Sequence, residues 1–165
     1  MRRMISAPTR EENFTMVQRF RKPNRLPNYD YSQYGSYHIT ICTHNRKNLF
    51  WINCSEWCLS KEGEIVDTAI RQIPKYYPQV ILDHYVVMPN HVHILLTISD
   101  EDGRSTVSTI VGQMKRWATK RAGIPLWQKG FNDRVIRNDE EFYVKWRYIE
   151  TNPLRWETDE FFYYE

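Results

Sequence analysis

At 165 residues, with 41% apolar and 15% aromatic residues and a net charge of +3, the chain is long enough for one domain with a substantial core and too short for two comfortable ones. So small a net charge does not mark a nucleic-acid protein, and any such signal must lie in how the charges are distributed. Three cysteines (Cys42, Cys54, Cys58), an odd number without a CxxC pair, read as reduced thiols. The absence of a secretory h-region or an apolar run of membrane-spanning length points to the cytoplasm.

Residues 1–30 lack apolar periodicity and carry Arg2, Arg3, Arg10, Arg19, Arg21, Lys22 and Arg25 between Pro8, Pro23 and Pro27. They read as a basic arm, either a solvated tail or a segment that lies along a phosphate backbone. Tyr37 to Thr43 alternates apolar and polar residues and is β-branched, which predicts a strand, with Asn45 to Asn48 as the turn after it. Trp57 to Leu59 reads as a short second strand. From Lys61 to Tyr77, Ile65, Val66, Ala69, Ile70 and Ile73 recur at helical spacing, and Pro78 ends the run.

The stretch from Tyr85 to Leu96 holds two apolar runs separated by Met88-Pro89-Asn90, which predicts a tight hairpin between buried strands. Its second strand opens with His91 and His93. Strand alternation puts both imidazoles on one face, with Val92 and Ile94 on the other. Such a pair either reaches one divalent ion or is hydrogen-bonded within the sheet. A polar loop, Ser99 to Arg104, follows.

Thr106 to Arg121 places Val107, Ile110, Val111, Met114, Trp117 and Ala118 on one helical stripe that ends at Gly123. Lys115, Arg116, Lys120 and Arg121 crowd its second half, where they suit the helix dipole or a DNA backbone. Trp127 to Ile136 reads as another strand. Asn138 then caps a helix, with Glu141 completing a capping box, and Pro153 ends it near Asn152. Phe142, Trp146 and Ile149 form its sheet-facing stripe. Tyr148 lies well off that stripe, on the side of Asn152, and is poorly explained as core filling; Tyr143 falls nearly opposite Asn152.

Val87-Met88-Pro89-Asn90-His91-Val92-His93, followed by Tyr148-Ile149-Glu150-Thr151-Asn152-Pro153, resembles the single-tyrosine HUH transposases of the IS200/IS605 type, and REP-associated tyrosine transposases in particular. Tyr29 to Ser32, Ile39 to Thr43, Trp127-Gln128 and Val135 to Asn138 extend the likeness over about residues 29–157. The resemblance implies an α+β domain over residues 31–157, with a central antiparallel sheet in a ferredoxin-like HUH arrangement and a short tail at 158–165. It implies that His91, His93 and Asn152 hold Mg²⁺ or Mn²⁺ and that Tyr148 is the nucleophile. The activity implied is cleavage and rejoining of single-stranded or hairpin DNA through a 5′-phosphotyrosine link. Arg21, Lys22, Arg25, Lys115, Arg116, Lys120 and Arg121 are the expected DNA contacts. The oligomeric state stays open between monomer and homodimer.

Two other readings compete. An inactive descendant of the same fold would bind DNA without cutting it. A small metal hydrolase or cupin-like enzyme would use His91 and His93 with another His or Glu, although His38, His44 and His84 show no partner spacing.

Overall fold

The computed structural model describes residues 34–52, 58–99 and 106–162. Four strands, β1 (Gly35–Cys42), β2 (Val80–Val87), β3 (His91–Ile98) and β4 (Asn132–Ile136), form one antiparallel sheet in the order β2-β3-β1-β4. Helix α1 (Lys61–Arg71) with the short α2 (Ile73–Tyr76) connects β1 to β2, and α3 (Val107–Ala122) connects β3 to β4. Each connection passes over a neighbouring strand, which is the ferredoxin-like arrangement. Helix α4 (Asp139–Thr151) follows β4, and a 3-10 segment, Pro153–Thr158, follows α4.

Strand parity divides the protein into two layers. Tyr37, Ile39 and Ile41 of β1 and Val92, Ile94, Leu96 and Ile98 of β3 face α1 and α3, and join Val66, Ile70, Ile110, Val111 and Met114 in the main core. The opposite face carries a small second cluster, Leu95 with Ile136 and Ile149, against which Phe142, Trp146 and Tyr148 of α4 pack. The remaining positions on that face are therefore free to be polar.

Local chemistry accounts for most boundaries. Thr106 caps α3 by accepting from Thr109 N, and Gly123 ends it at φ 73°, a left-handed conformation that favours glycine. Asn138 caps α4 by accepting from Glu141 N, while the Glu141 carboxylate accepts from Arg137 N. The helix expected over Lys61 to Tyr77 breaks at Gln72, because Pro74 has no N–H to give the Ile70 carbonyl.

Two further expectations need correction. The strand expected from Trp127 begins only at Asn132: Trp127 makes an isolated bridge to Thr43, and Gly130, at φ 82°, turns the chain in between. Leu59 likewise makes only an isolated bridge, to Trp51, and Trp57 lies outside the described residues. So do the basic arm and the loop after Ser99. No helix among the described residues is long and apolar enough to cross a membrane.

Candidate active site

The hairpin turn places the two histidines. Met88 N donates to His91 O, closing the turn, and Thr43 N and Phe50 N donate to the Asn90 and Pro89 carbonyls, tying the connector after β1 to it. His91 and His93 then project from the central strand β3 onto the α4 face, both buried, with their Nε2 atoms 3.0 Å apart. Asn90 Nδ2 donates to the carbonyls of Arg46 and Phe161, which leaves its Oδ1 for His91 Nδ1 at 2.9 Å. His91 Nδ1 must then carry the proton, so His91 Nε2 presents a lone pair. Thr40, opposite His93 on β1, meets His93 Nδ1 at 3.0 Å and can act as donor or acceptor. Burial, with Arg46 adding to it, pushes the His91 imidazole down to about 3, and burial first, then His91 and His38, lower His93 as well. Both rings are neutral at physiological pH.

Helix α4 brings the tyrosine. The Tyr148 hydroxyl lies 3.5 Å from His93 Nε2, and the two rings meet edge to face at 5.1 Å. Tyr148, poorly explained as core filling alone, packs its ring partly against the Leu95, Ile136 and Ile149 cluster while its hydroxyl reaches the site. Tyr143 is 71% exposed and takes no part. Burial, followed by the carboxylates of Asp159 and Glu160, pushes the Tyr148 phenol up to about 12, against a hydrogen bond from the Asn152 side chain that lowers it. Asn152 caps the end of α4, is buried, and keeps an Oδ1 with no hydrogen-bond partner.

Two borderline imidazole nitrogens and one hard amide oxygen could together hold a small divalent cation. On an octahedral ion with bonds of about 2.1 Å, adjacent donors stand about 3 Å apart, which matches the spacing of the two Nε2 atoms. The unpaired Asn152 oxygen is of the kind that such an ion takes.

Three site residues escaped the sequence reading. Donor atoms of Asp159, His91 and His93 all lie within 4.8 Å of one another. Asp159 Oδ1 accepts from Phe161 N, and the buried Phe161 ring sits 4.7 Å from His91. Asp159 and Phe161, within the expected short tail at 158–165, thus line the site, and no spacing rule signals that return of the chain. The third is His38, whose ring stacks on His93 at 5.2 Å. Its signal was present in the alternation of β1, which puts His38 and Thr40 on one face. His84 shares the α4 face too, stacked on Trp146 at 4.5 Å.

The expected DNA contacts separate. Arg21, Lys22 and Arg25 lie outside the described residues. Arg116, Lys120 and Arg121 are exposed on α3. Lys115 is instead half-buried, its Nζ donating to the carbonyls of Gln128 and Gly130 at 2.8 and 2.7 Å, so it ties the loop before β4 to α3. A basin of about 630 Å³ lined by His44, Arg116, Lys120, Trp127 and Lys129 opens beside it. It lies at the His91 end of the sheet, since Cys42 pairs with His91 and its carbonyl accepts from Gln128 N.

A sheet of this order, with a tyrosine-bearing helix laid over a histidine pair, defines a transposase-like fold. A REP-associated tyrosine transposase, solved bound to a REP hairpin, superposes with a TM-score of 0.62 at 23% identity, over 79% of this chain and 73% of that one. A REP-associated tyrosine transposase of Escherichia coli K12 is 25% identical over 126 residues, 76% of this chain and 70% of the relative. An uncharacterized protein of Haemophilus influenzae Rd is 31% identical over 167 aligned positions, 86% of this chain and 93% of the relative. No family model matches. The chain belongs to one family with the Haemophilus protein and is similar in sequence and fold to REP-associated tyrosine transposases.

Proposed function

We propose that the chain is a metal-dependent DNA endonuclease and strand transferase that cuts and rejoins single-stranded or hairpin DNA through Tyr148. The observation that carries this reading is the Tyr148 hydroxyl 3.5 Å from one of two neutral imidazoles whose Nε2 atoms stand 3.0 Å apart. The likeness to a transposase bound to a REP hairpin supports DNA as the partner.

His91 and His93, through Nε2, and Asn152, through Oδ1, would hold Mg²⁺ or Mn²⁺. When bound, the ion would neutralise and orient the scissile phosphate. Asn90 and Thr40 hold the two rings by their far nitrogens, so the donor atoms need not reorganise. Tyr148 Oη forms the bond to phosphorus, and the bond from phosphorus to the 3′-oxygen breaks. The oxygen leaves as a free 3′-OH, and the 5′-phosphotyrosine keeps the bond energy for rejoining. The phenol is protonated at neutral pH, so the site must assist its ionisation. Arg116, Lys120 and Arg121, with Arg21, Lys22 and Arg25 of the arm, are assigned to the DNA backbone, in the cytoplasm.

One observation favours the second reading, a DNA-binding descendant that no longer cuts. Burial, and after it the carboxylates of Asp159 and Glu160, hold the Tyr148 phenol up at about 12, against the phenolate that attack requires. Incubating the full chain with end-labelled, hairpin-bearing single strands and Mn²⁺ separates the two. A covalent protein–DNA adduct that survives denaturation supports cleavage, and tight binding with no adduct supports the descendant.

A further inference from the structure

We infer that His38 is a positioning residue: its imidazole, stacked on His93, fixes the plane in which His93 presents Nε2 to His91 and Tyr148. The inference rests on the proposed metal and tyrosine chemistry of that site.

The arrangement follows from the register of the sheet. Thr40 stands directly opposite His93, and His38, opposite Leu95, is the diagonal neighbour on the same face. Thr40 holds one nitrogen of His93 at 3.0 Å. That contact sets the direction of one ring edge, and control of the ring's tilt comes from what lies against its face. His38 supplies that face, with ring centroids 5.2 Å apart and planes within 21° of parallel.

The other neighbours of His93 cannot substitute for it. His91, Tyr148 and Phe161 all meet the ring edge-on, at 77°, 72° and 61°. His38 also reaches Tyr148, at 6.0 Å and a right angle, so one ring touches both His93 and the tyrosine. His38 is itself buried, and its Nε2 has no hydrogen-bond partner. What it offers the site is its ring face and edge. Its mount is rigid, because β1 is paired on both sides, by β3 and β4.

The test compares His38→Ala with His38→Phe in the full chain, each checked by thermal melting for an intact fold. One readout is the ring-nitrogen NMR spectrum of His93 in metal-free protein, and the other is the affinity for Mn²⁺ alone. His38→Ala is expected to broaden or double the His93 resonances and to weaken Mn²⁺ binding about twofold to tenfold, the usual worth of one ring-stacking contact. His38→Phe, which keeps a flat ring, should restore a single set of resonances and most of the affinity. A His38→Ala protein with an unchanged His93 spectrum and unchanged Mn²⁺ affinity would overturn the inference. So would a His38→Phe protein as impaired as His38→Ala. Should the unmutated chain bind no Mn²⁺, the metal reading fails, while the metal-free spectrum still judges His38.

Discussion

His91 and His93 are 0% and 1% exposed, and that burial decides how their ligand nitrogens respond to acid. Only the neutral imidazole binds a metal, and protons compete with the ion below the imidazole pKa. Burial holds the His91 value near 3 and lowers that of His93, so competition is postponed to well below the ordinary 6.5. Mn²⁺ affinity measured by calorimetry from pH 8 to pH 5 should therefore stay nearly flat. A fall centred near 6.5 would mean that the rings are open to water. At this scale the sequence was informative where chemistry is local. The His91 and His93 pair and its shared face follow from a two-residue period, and the place of Tyr148 beside Asn152 follows from helical phase. Asp159 and Phe161 were not legible, because they reach the histidines through a chain reversal after Pro153 that no periodicity announces.

At the level of elements, the start of α1 is closely packed on the loop before it. Ser60 Oγ accepts from Gly63 N at 3.0 Å and donates to the Leu49 carbonyl at 2.6 Å, which draws the helix onto the preceding loop. A Cβ on Gly63 would stand 2.2 Å from the Phe50 carbonyl oxygen. Gly63→Ala should therefore cost about 1–3 kcal/mol, the usual range for overpacking, read as a lower urea midpoint. An unchanged midpoint would show that the loop can give way.

Helix α3 carries a second test. Replacing Arg116 and Lys120 by Ala should flatten the slope of log affinity for hairpin DNA against log salt by about one unit for each phosphate no longer neutralised. Lys115→Met should leave that slope alone and lower stability instead, since Nζ is spent on two carbonyls. An unchanged slope in the double variant would assign those cations to solubility. The four cations looked equivalent in the sequence. What separates Lys115 is the loop around Gly130, whose path depends on a bridge between Thr43 and Trp127 that lie far apart in the chain.

Over the whole molecule, four histidines share the α4 face of one sheet, three of them, His38, His91 and His93, buried in neutral form, and the stability of the metal-free protein should carry their signature. Burial pushes His38 and His91 down to about 3 and lowers His93, whereas unfolded imidazoles take up protons below about 6.5. The unfolded state then binds more protons in that window. Stability is fully present above pH 6.5 and is lost as pH falls towards 3, at up to about 1.4 kcal/mol per pH unit for each histidine. Melting temperatures at pH 7 and pH 5 should show the loss, and His38→Phe should reduce it. Equal melting temperatures would contradict the neutral, buried state.

The first strand, the hairpin and the last helix with its N-cap were readable from local pattern, whereas the short strand expected at Trp57 to Leu59 amounts to one isolated bridge at Leu59. The order β2-β3-β1-β4 was not readable, because the pairing of β1 with β3 and β4 is decided by how two helices cover one face, and it entered only through the family resemblance. The central claim, that Tyr148 is the attacking group, is tested most directly by the covalent adduct with labelled hairpin-bearing single strands and Mn²⁺ in paired variants. Tyr148→Phe keeps the packed ring but lacks the atom that attacks phosphorus, so it should form no adduct while keeping its fold and DNA affinity. Tyr143→Phe, at an exposed position, should form it as the unmutated chain does. An adduct on Tyr148→Phe would contradict the assignment of the nucleophile.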